Sequence, residues 1–357
     1  MQPKYQIIAS ELKTQIHIGS YKNLNMLPTE FELMDIYKVS RQTVRQALAV
    51  LEREGLIEKR RGSGSHIRRT PAPDTPGHRR TIAVVTTYIS NYIFPSILRE
   101  VEGVLSQNNF VPLLFATQNQ VSVERTILLR LLETPIDGIL VEGTKTALPN
   151  PNLDLYRQLI DRKIPIVFIN GSYPQLSNAV SVLDDNEGGG QMLVQYLAAK
   201  GHRKIAGIFK SDDIQGHGRY AGYAAGLQQA GLSLDDSMVL WYNTNFRGIL
   251  MSDEVFSPLI RRWRSNGCTA VVCYNDDIAC QLMALLTKNG ISVPDEISVV
   301  SFDNSYLTEI GSIPLTSLNH ASASVGQVAA KKLLSLMNGE YAVSEVLPWE
   351  IVSRASG

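Results

Sequence analysis

Arg41, Gln42, Arg45 and Gln46 occupy one edge of the stretch VSRQTVRQALAVLEREGLI, residues 39–57, whose opposite helical face is apolar. Arginine can donate two parallel hydrogen bonds to guanine O6 and N7, and glutamine can pair with adenine, so this edge carries donors suited to a DNA major groove. A charged helix face is more often simply solvated, but the surrounding sequence argues against that here. Residues 1–80 hold 14 Lys and Arg against 8 Asp and Glu, a net of +6 in a chain whose total is zero, which points to an anionic partner at this end. Glu30 opens the preceding helix, where it can complement the helix dipole or accept from cytosine N4.

Such side chains need a rigid frame, and the first 70 residues supply helical periodicity. Tyr5, Ile8, Leu12 and Ile16 form one stripe, and Phe31, Met34 and Tyr37 share another. Thr29 and Glu32 have the spacing of a capping box at the second helix, and Ser40 caps the third, whose Val44, Ala47, Leu48 and Leu51 face a core. LIEKR and SHIRR then flank RGSG, a hairpin with a flexible basic tip. Three helices followed by a hairpin are a winged helix-turn-helix, assigned to residues 1–69. Its candidate contacts to double-stranded DNA are Ser40, Arg41, Gln42, Thr43 and Arg45 at the helix edge, Arg61, Ser63 and Gly64 at the tip, and Glu30. RRTPAPDTPGHRR, residues 68–80, has three prolines and almost no apolar content, which marks a domain boundary with a linker over 70–80.

Beyond the linker, the runs TIAVVTT, VPLLFAT, IDGILVE and IPIVFIN, and then KIAGIFK, TAVVCYN and ISVVSFD, alternate with helix-length segments. Runs of this kind indicate parallel sheets built from βα units. The fold class is therefore α/β, with the first four and last three runs in two lobes over 81–357 and a ligand where the strand C-termini meet. The triple glycine at 188–190 is read as the start of a helix packed closely on a sheet. Asp184/Asp185, Asp212/Asp213 and Asp276/Asp277 do not suit glycoside hydrolysis, because adjacent side chains point apart while that chemistry needs two carboxyl groups facing each other. The sequence has no HExxH, GxSxG, phosphate-cradling loop or zinc spacing, so neither an enzyme nor a cofactor or metal is expected. Cys268, Cys273 and Cys280, odd in number and without CxxC spacing, read as reduced core thiols of a cytoplasmic protein. No apolar run is long enough for a membrane helix, and the N-terminus lacks a signal-peptide core.

LPTEFEL and YKVSRQTVRQALAVLEREGLIEKRRGSGSHI resemble the winged-helix domain of the gluconate-repressor (GntR) family, with departures at Ser65 and His66, where that family usually has Thr and an aromatic. DDNEGGGQMLVQYLAAKGHRKIAGI, GRYAGYAAGL, CYNDDIA, ISVVSFDNS and PLTSLNHASASVGQVAAKKLL resemble the sugar-sensing domain of the lactose/galactose repressors. The fusion is similar to the arabinose-responsive repressors of bacilli. That resemblance implies a homodimeric repressor with L-arabinose as effector; another sugar, a nucleoside or purine as effector, or a non-catalytic sugar-binding protein, are the alternatives. It also places Asn170, Arg219, Asn275, Asp276, Asp303 and His320 at ligand-facing positions, while Tyr92 and Glu142 follow predicted strands. A neutral sugar requires such planar donors and acceptors, with an apolar surface for the C–H face of its ring.

Overall fold

Residues 3–17, 26–53, 56–60, 64–67, 80–176, 179–250, 252–320 and 324–357 are described by the computed structural model. They fall into two units, Met1–His78 and Arg79–Gly357. The segment read as a linker lies almost wholly outside the described residues, as do Arg61 and Ser63 of the hairpin tip.

In the first unit, helices α1 (Lys4–His17), α2 (Glu30–Tyr37) and α3 (Arg41–Arg53) precede strands β1 (Ile57–Arg60) and β2 (Gly64–Ile67). Val44, Ala47, Leu48 and Leu51 bury one stripe of α3 against Ile8 and Leu12 of α1 and Leu33 of α2. Removing each Leu or Val from water is worth roughly 1.5–3 kcal/mol, which holds so small a unit together. The apolar stripe expected on α2 is corrected: Leu33 is fully buried, whereas Phe31 is 68% exposed and lies under the Arg41 guanidinium. β1 and β2 pair antiparallel from Ile57↔Ile67 to Arg60↔Gly64. The Leu27 amide donates to the Ser65 carbonyl, tying the hairpin to the segment before α2.

The second unit contains β3 (Thr81–Thr86), α4 (Phe94–Gln107), β4 (Val111–Ala116), α5 (Val121–Glu133), β5 (Gly138–Val141), α6 (Leu153–Asp161), β6 (Ile166–Ile169) and β7 (Val180–Asp184). There follow α7 (Asn186–Ala199), β8 (Ile205–Lys210), α8 (Ile214–Gln229), β9 (Val239–Tyr242), α9 (Arg247–Leu250), α10 (Asp253–Ser265), β10 (Ala270–Cys273) and α11 (Asp276–Lys288). The chain ends with β11 (Ser298–Phe302), α12 (Leu307–Ile310), β12 (Thr316–His320), α13 (Val325–Met337), β13 (Glu345–Leu347) and β14 (Trp349–Val352).

Two six-stranded sheets result, ordered β13-β7-β6-β5-β3-β4 and β14-β12-β11-β10-β8-β9. The first is parallel throughout; the second is parallel except where β14 runs against β12. Successive strand residues serve opposite faces. Ile82 and Val84 pack with α4 and α13, while Ala83 and Val85 pack with α5 and α6. The second sheet divides in the same way between α10 with α11 and α7 with α8. The lobes are not consecutive halves of the chain. After β7 the chain crosses to the second sheet, returns as α13 and β13, and crosses again as β14.

The triple glycine opens α7, but only Gly189 faces sheet residues. A Cβ on Gly190 would lie 2.4 Å from the Arg219 carbonyl oxygen, and one on Gly222 would lie 1.9 Å from that of Glu187, so these glycines let α7 and α8 touch backbone to backbone. Cys268 and Cys273 are buried and Cys280 partly buried; all three are free thiols, and burial pushes each pKa up. Among the described residues, no helix is long and apolar enough to cross a membrane and no group of side chains could hold a metal ion.

Candidate functional site

The start of α3 is built for exposure. Ser40 Oγ accepts from the Thr43 amide at 3.3 Å and pairs with Thr43 Oγ1 at 2.9 Å, so Ser40 and Thr43 cap the helix jointly. Arg41, Gln42, Arg45 and Gln46 then project into solvent. Arg41 Nε and Arg45 Nε both donate to the Glu30 carboxylate, at 2.8 and 3.0 Å. The Arg41 hydrogen bond, reinforced by Arg45, holds the Glu30 carboxyl below the ordinary range. Only the Nε atoms are engaged; the terminal nitrogens of both guanidinium groups have no recorded partner among the described residues. The geometry thus makes Glu30 a holder of two arginine forks, with its own oxygens already occupied. Gly64 has φ +91°, the left-handed region that favours glycine, at the point where β2 leaves the hairpin tip.

In the second unit, six of the eight sequence-predicted ligand residues line one small chamber between the lobes. They are Tyr92, Glu142, Asn170, Arg219, Asn275 and Asp303, around a cavity of about 80 Å³. Glu142 and Asn170 follow β5 and β6 of one lobe; Asn275 and Asp303 follow β10 and β11 of the other. Strand C-termini therefore meet across the cleft, where open α/β sheets bind their ligands. Tyr92, Asn170 and Asp303 have φ of +62°, +61° and +94°, a backbone region that non-glycine residues seldom enter and that clusters at functional sites.

Arg219 is 1% exposed, and each of its three guanidinium nitrogens has a partner. Its Nε donates to Asn186 Oδ1 at 2.9 Å, one terminal nitrogen to the Tyr274 carbonyl and the other to Asp303 Oδ1 at 2.9 Å. The guanidinium carbon lies 4.3 Å from the Phe302 ring centre and 4.9 Å from that of Tyr274. Burial alone would lower its pKa, but Asp303 and the other acidic groups raise it. Tyr92 reaches across from the other lobe and donates to Asp303 Oδ2 at 2.6 Å, and its pKa is pushed far up by burial and by Asp276 and Asp303. Burial likewise raises Glu142, although the Thr87 hydroxyl and amide and Asn170 Nδ2 donate to it. Asn275, another lining residue of the chamber, uses Oδ1 to accept from the Ile278 amide at 3.1 Å, capping α11.

Two predicted residues do not belong to this chamber. Asp276 is fully buried and accepts from the Ser301 and Ser317 hydroxyls and from the Ser305 amide. It ties β11, β12 and the loop after β11 to the start of α11, and burial followed by the charge of Asp303 raises its pKa to about 6. His320 stacks on Trp349 with ring centres 4.5 Å apart, and its Nε2 lies 2.8 Å from Asp184 Oδ1. It joins the end of β12 to the end of β7 and lines a separate cavity of about 460 Å³. Burial works to lower its pKa, and the Asp184 hydrogen bond and charge override this and raise it.

Sequence reasoning missed Lys210, Asp213, Tyr242 and Tyr274 of the small chamber. Lys210 is 8% exposed and bonded to Asp213; burial works to lower its pKa, and the charges of Asp213 and Asp212 with the Asp213 hydrogen bond together raise it. Lys210 ends the run KIAGIFK and Tyr274 is the last residue but one of TAVVCYN, so their positions at strand ends were the available signal.

A winged-helix unit and a two-lobed chamber in one chain define a ligand-responsive transcription regulator. A family model described as bacterial regulatory proteins, gntR family, matches residues 4–67, and one described as a periplasmic binding protein-like domain matches residues 194–356. The chain is 37% identical over 335 residues to the arabinose metabolism transcriptional repressor of Geobacillus stearothermophilus, covering 94% of this chain and 91% of that protein. It is 35% identical to the repressor of the same name from Halalkalibacterium halodurans, covering 95% and 91%. The crystal structure of transcription regulator CcpA of Lactococcus lactis superimposes with a TM-score of 0.68 at 26% identity, over 78% of this chain and 99% of that one. The chain belongs to the family of arabinose metabolism transcriptional repressors.

Proposed function

We propose that this repressor binds operator DNA through Arg41 and Arg45 and is released from it by L-arabinose held in the small interlobe chamber. The observation that carries the reading is the convergence of Glu142, Asn170, Arg219, Asn275 and Asp303 from the strand ends of both lobes on one cavity. Arginine is a rigid fork of donors and an ionised aspartate only accepts, so a fixed set of both kinds discriminates hydroxyl directions around a ring. A sugar lacking one well-placed hydroxyl leaves a buried group unpaired, at about 1–3 kcal/mol. Lys210 and Asp213 join the set. Asp276 and His320 act behind it, Asp276 as a structural clamp and His320 as a tie between β12 and β7.

The effector shifts DNA binding only by its differential affinity for the two states of the sensor. In this reading the working unit is a cytoplasmic homodimer that offers two winged helices to half-sites related by two-fold symmetry. The edge strand β4, with Val111, Leu113 and Leu114 exposed, supports a subunit contact through the sensor. Calorimetric titration of the full chain with L-arabinose, its epimers and a purine is the test. Binding of L-arabinose in preference to its epimers is expected; binding of the purine alone would keep the repressor class and replace the effector.

A further inference from the structure

Both oxygens of Asp303 already accept a hydrogen bond from the protein. Oδ1 accepts from Arg219 and Oδ2 from the Tyr92 hydroxyl, the latter at 2.6 Å. The Tyr92 oxygen in turn accepts from the Asp276 amide at 3.1 Å, a first-turn helix amide for which the helix itself has no acceptor. The Tyr92 hydroxyl also lies 3.2 Å from the Phe302 carbonyl oxygen; Tyr92 belongs to the loop between β3 and α4 of one lobe, and Asp276, Phe302 and Asp303 belong to the other. A single hydroxyl thus bridges the cleft, from a residue whose left-handed backbone a bulky side chain adopts only under strain.

Tyr92 is also a partition. Tyr92, Ile93, Asn170 and Asp303 line both the cavity of about 80 Å³ and that of about 460 Å³. A cavity of about 150 Å³ holds benzene, and a pentose is larger, so the smaller chamber does not admit one as it stands. The Asp303 oxygen that a sugar hydroxyl would use is engaged by Tyr92, which also belongs to the wall the two cavities share.

Building on the effector reading above, we propose that the Tyr92 hydroxyl is an intramolecular stand-in for an effector hydroxyl, and that the effector binds by displacing it from Asp303 and merging the two cavities. The ligand-free sensor is then held closed by its own side chain. Effector affinity is the intrinsic affinity reduced by the fraction of molecules in which Tyr92 is withdrawn. The effector must bring a hydroxyl donor to Asp303 Oδ2, so Tyr92 selects for sugars bearing a hydroxyl at that point.

Tyr92→Phe removes the competing donor and keeps the ring. Loss of one hydrogen bond to a carboxylate corresponds to roughly tenfold in an equilibrium. Full-chain Tyr92→Phe is therefore expected to bind L-arabinose about tenfold more tightly than the parent by calorimetry. In the sugar-free protein, the Asp276 amide should exchange its hydrogen faster in the variant. Equal or weaker L-arabinose binding by Tyr92→Phe, or unchanged exchange at Asp276, overturns this proposal while the effector reading stands. Absence of L-arabinose binding by both forms overturns the effector reading and the proposal with it.

Discussion

The molecule uses arginine–carboxylate pairing twice, under opposite conditions. At the head of α3, Glu30 is shared by Arg41 and Arg45, whose side chains are 51% and 57% exposed, and among the described residues only their Nε atoms are paired. In the sensor, Arg219 and Asp303 are buried and every nitrogen of the guanidinium has a partner. Water screens the first pair, so it contributes little to stability and leaves its donors open to an outside partner. The second is desolvated, so removing one member strands a charge. One cluster keeps its charge at the surface, the other fixes a cavity wall.

Five substitutions sharpen this contrast. The largest effect belongs to Arg219→Ala: breaking a buried pair costs roughly 3–5 kcal/mol. Chemical unfolding of the full chain should show that loss, and at a temperature where the variant is folded it should bind operator without responding to sugar. Next come Arg41→Ala and Arg45→Ala, each expected to weaken operator binding by about 1–3 kcal/mol if it reads a base, or to reduce the salt slope by about one if it holds a phosphate. Binding measured across salt concentration separates the two, and unchanged affinity in both variants would sink the assignment. Their unfolding free energies should stay within about 0.5 kcal/mol of the parent.

Glu30→Gln is expected to change stability by about 1 kcal/mol or less. It should weaken operator binding less than either arginine loss does, because the forks remain and only their positioning is impaired. The smallest effect is pH-dependent. His320 has a folded pKa above 6.5, so its pairing with Asp184 stabilises the sensor fully below about pH 6.5 and is lost as pH rises through the raised value. His320→Phe keeps a ring against Trp349 without the charge. The gap in thermal midpoint between the parent and this variant should narrow from pH 6 to pH 8; a constant gap would show that the ring stack alone matters.

The winged helix was legible because its signals are local. Thr29 with Glu32, Ser40, and the spacing of Val44, Ala47, Leu48 and Leu51 all act within two turns of helix, and the structure shows each in that role. The exception on α2 is long-range: Phe31 is turned outward beneath Arg41, a residue of the next helix. Six of the seven apolar runs were legible because a strand buried on both faces is continuously apolar, while the seventh, β4, is an edge strand whose apolar residues are partly exposed. The sequence reading does not include strands β7, β9, β12, β13 and β14; β13 is a sheet edge with mostly solvent-facing residues, and β9 is an edge strand of four residues, short for an apolar run to mark.

The same distinction separates Asp303 from Asp276. Each closely follows a strand, and the sequence offers no means to tell them apart. Asp303 faces the cleft because it leaves β11 at φ +94°, whereas Asp276 opens a helix and meets Ser301 and Ser317 from two neighbouring strands. Such partners are set by sheet order, which is fixed only when the whole sheet assembles.

The central claim is that a sugar seated among buried charges controls a reader built from exposed ones. Its most direct test is fluorescence anisotropy of an operator duplex, selected by the full chain from random sequences, with increasing L-arabinose added to the parent and to Arg219→Ala. The account predicts release of the parent by L-arabinose at concentrations where its epimers leave the complex intact, and no release of Arg219→Ala at any of them. Release of Arg219→Ala at the same L-arabinose concentration as the parent would contradict it.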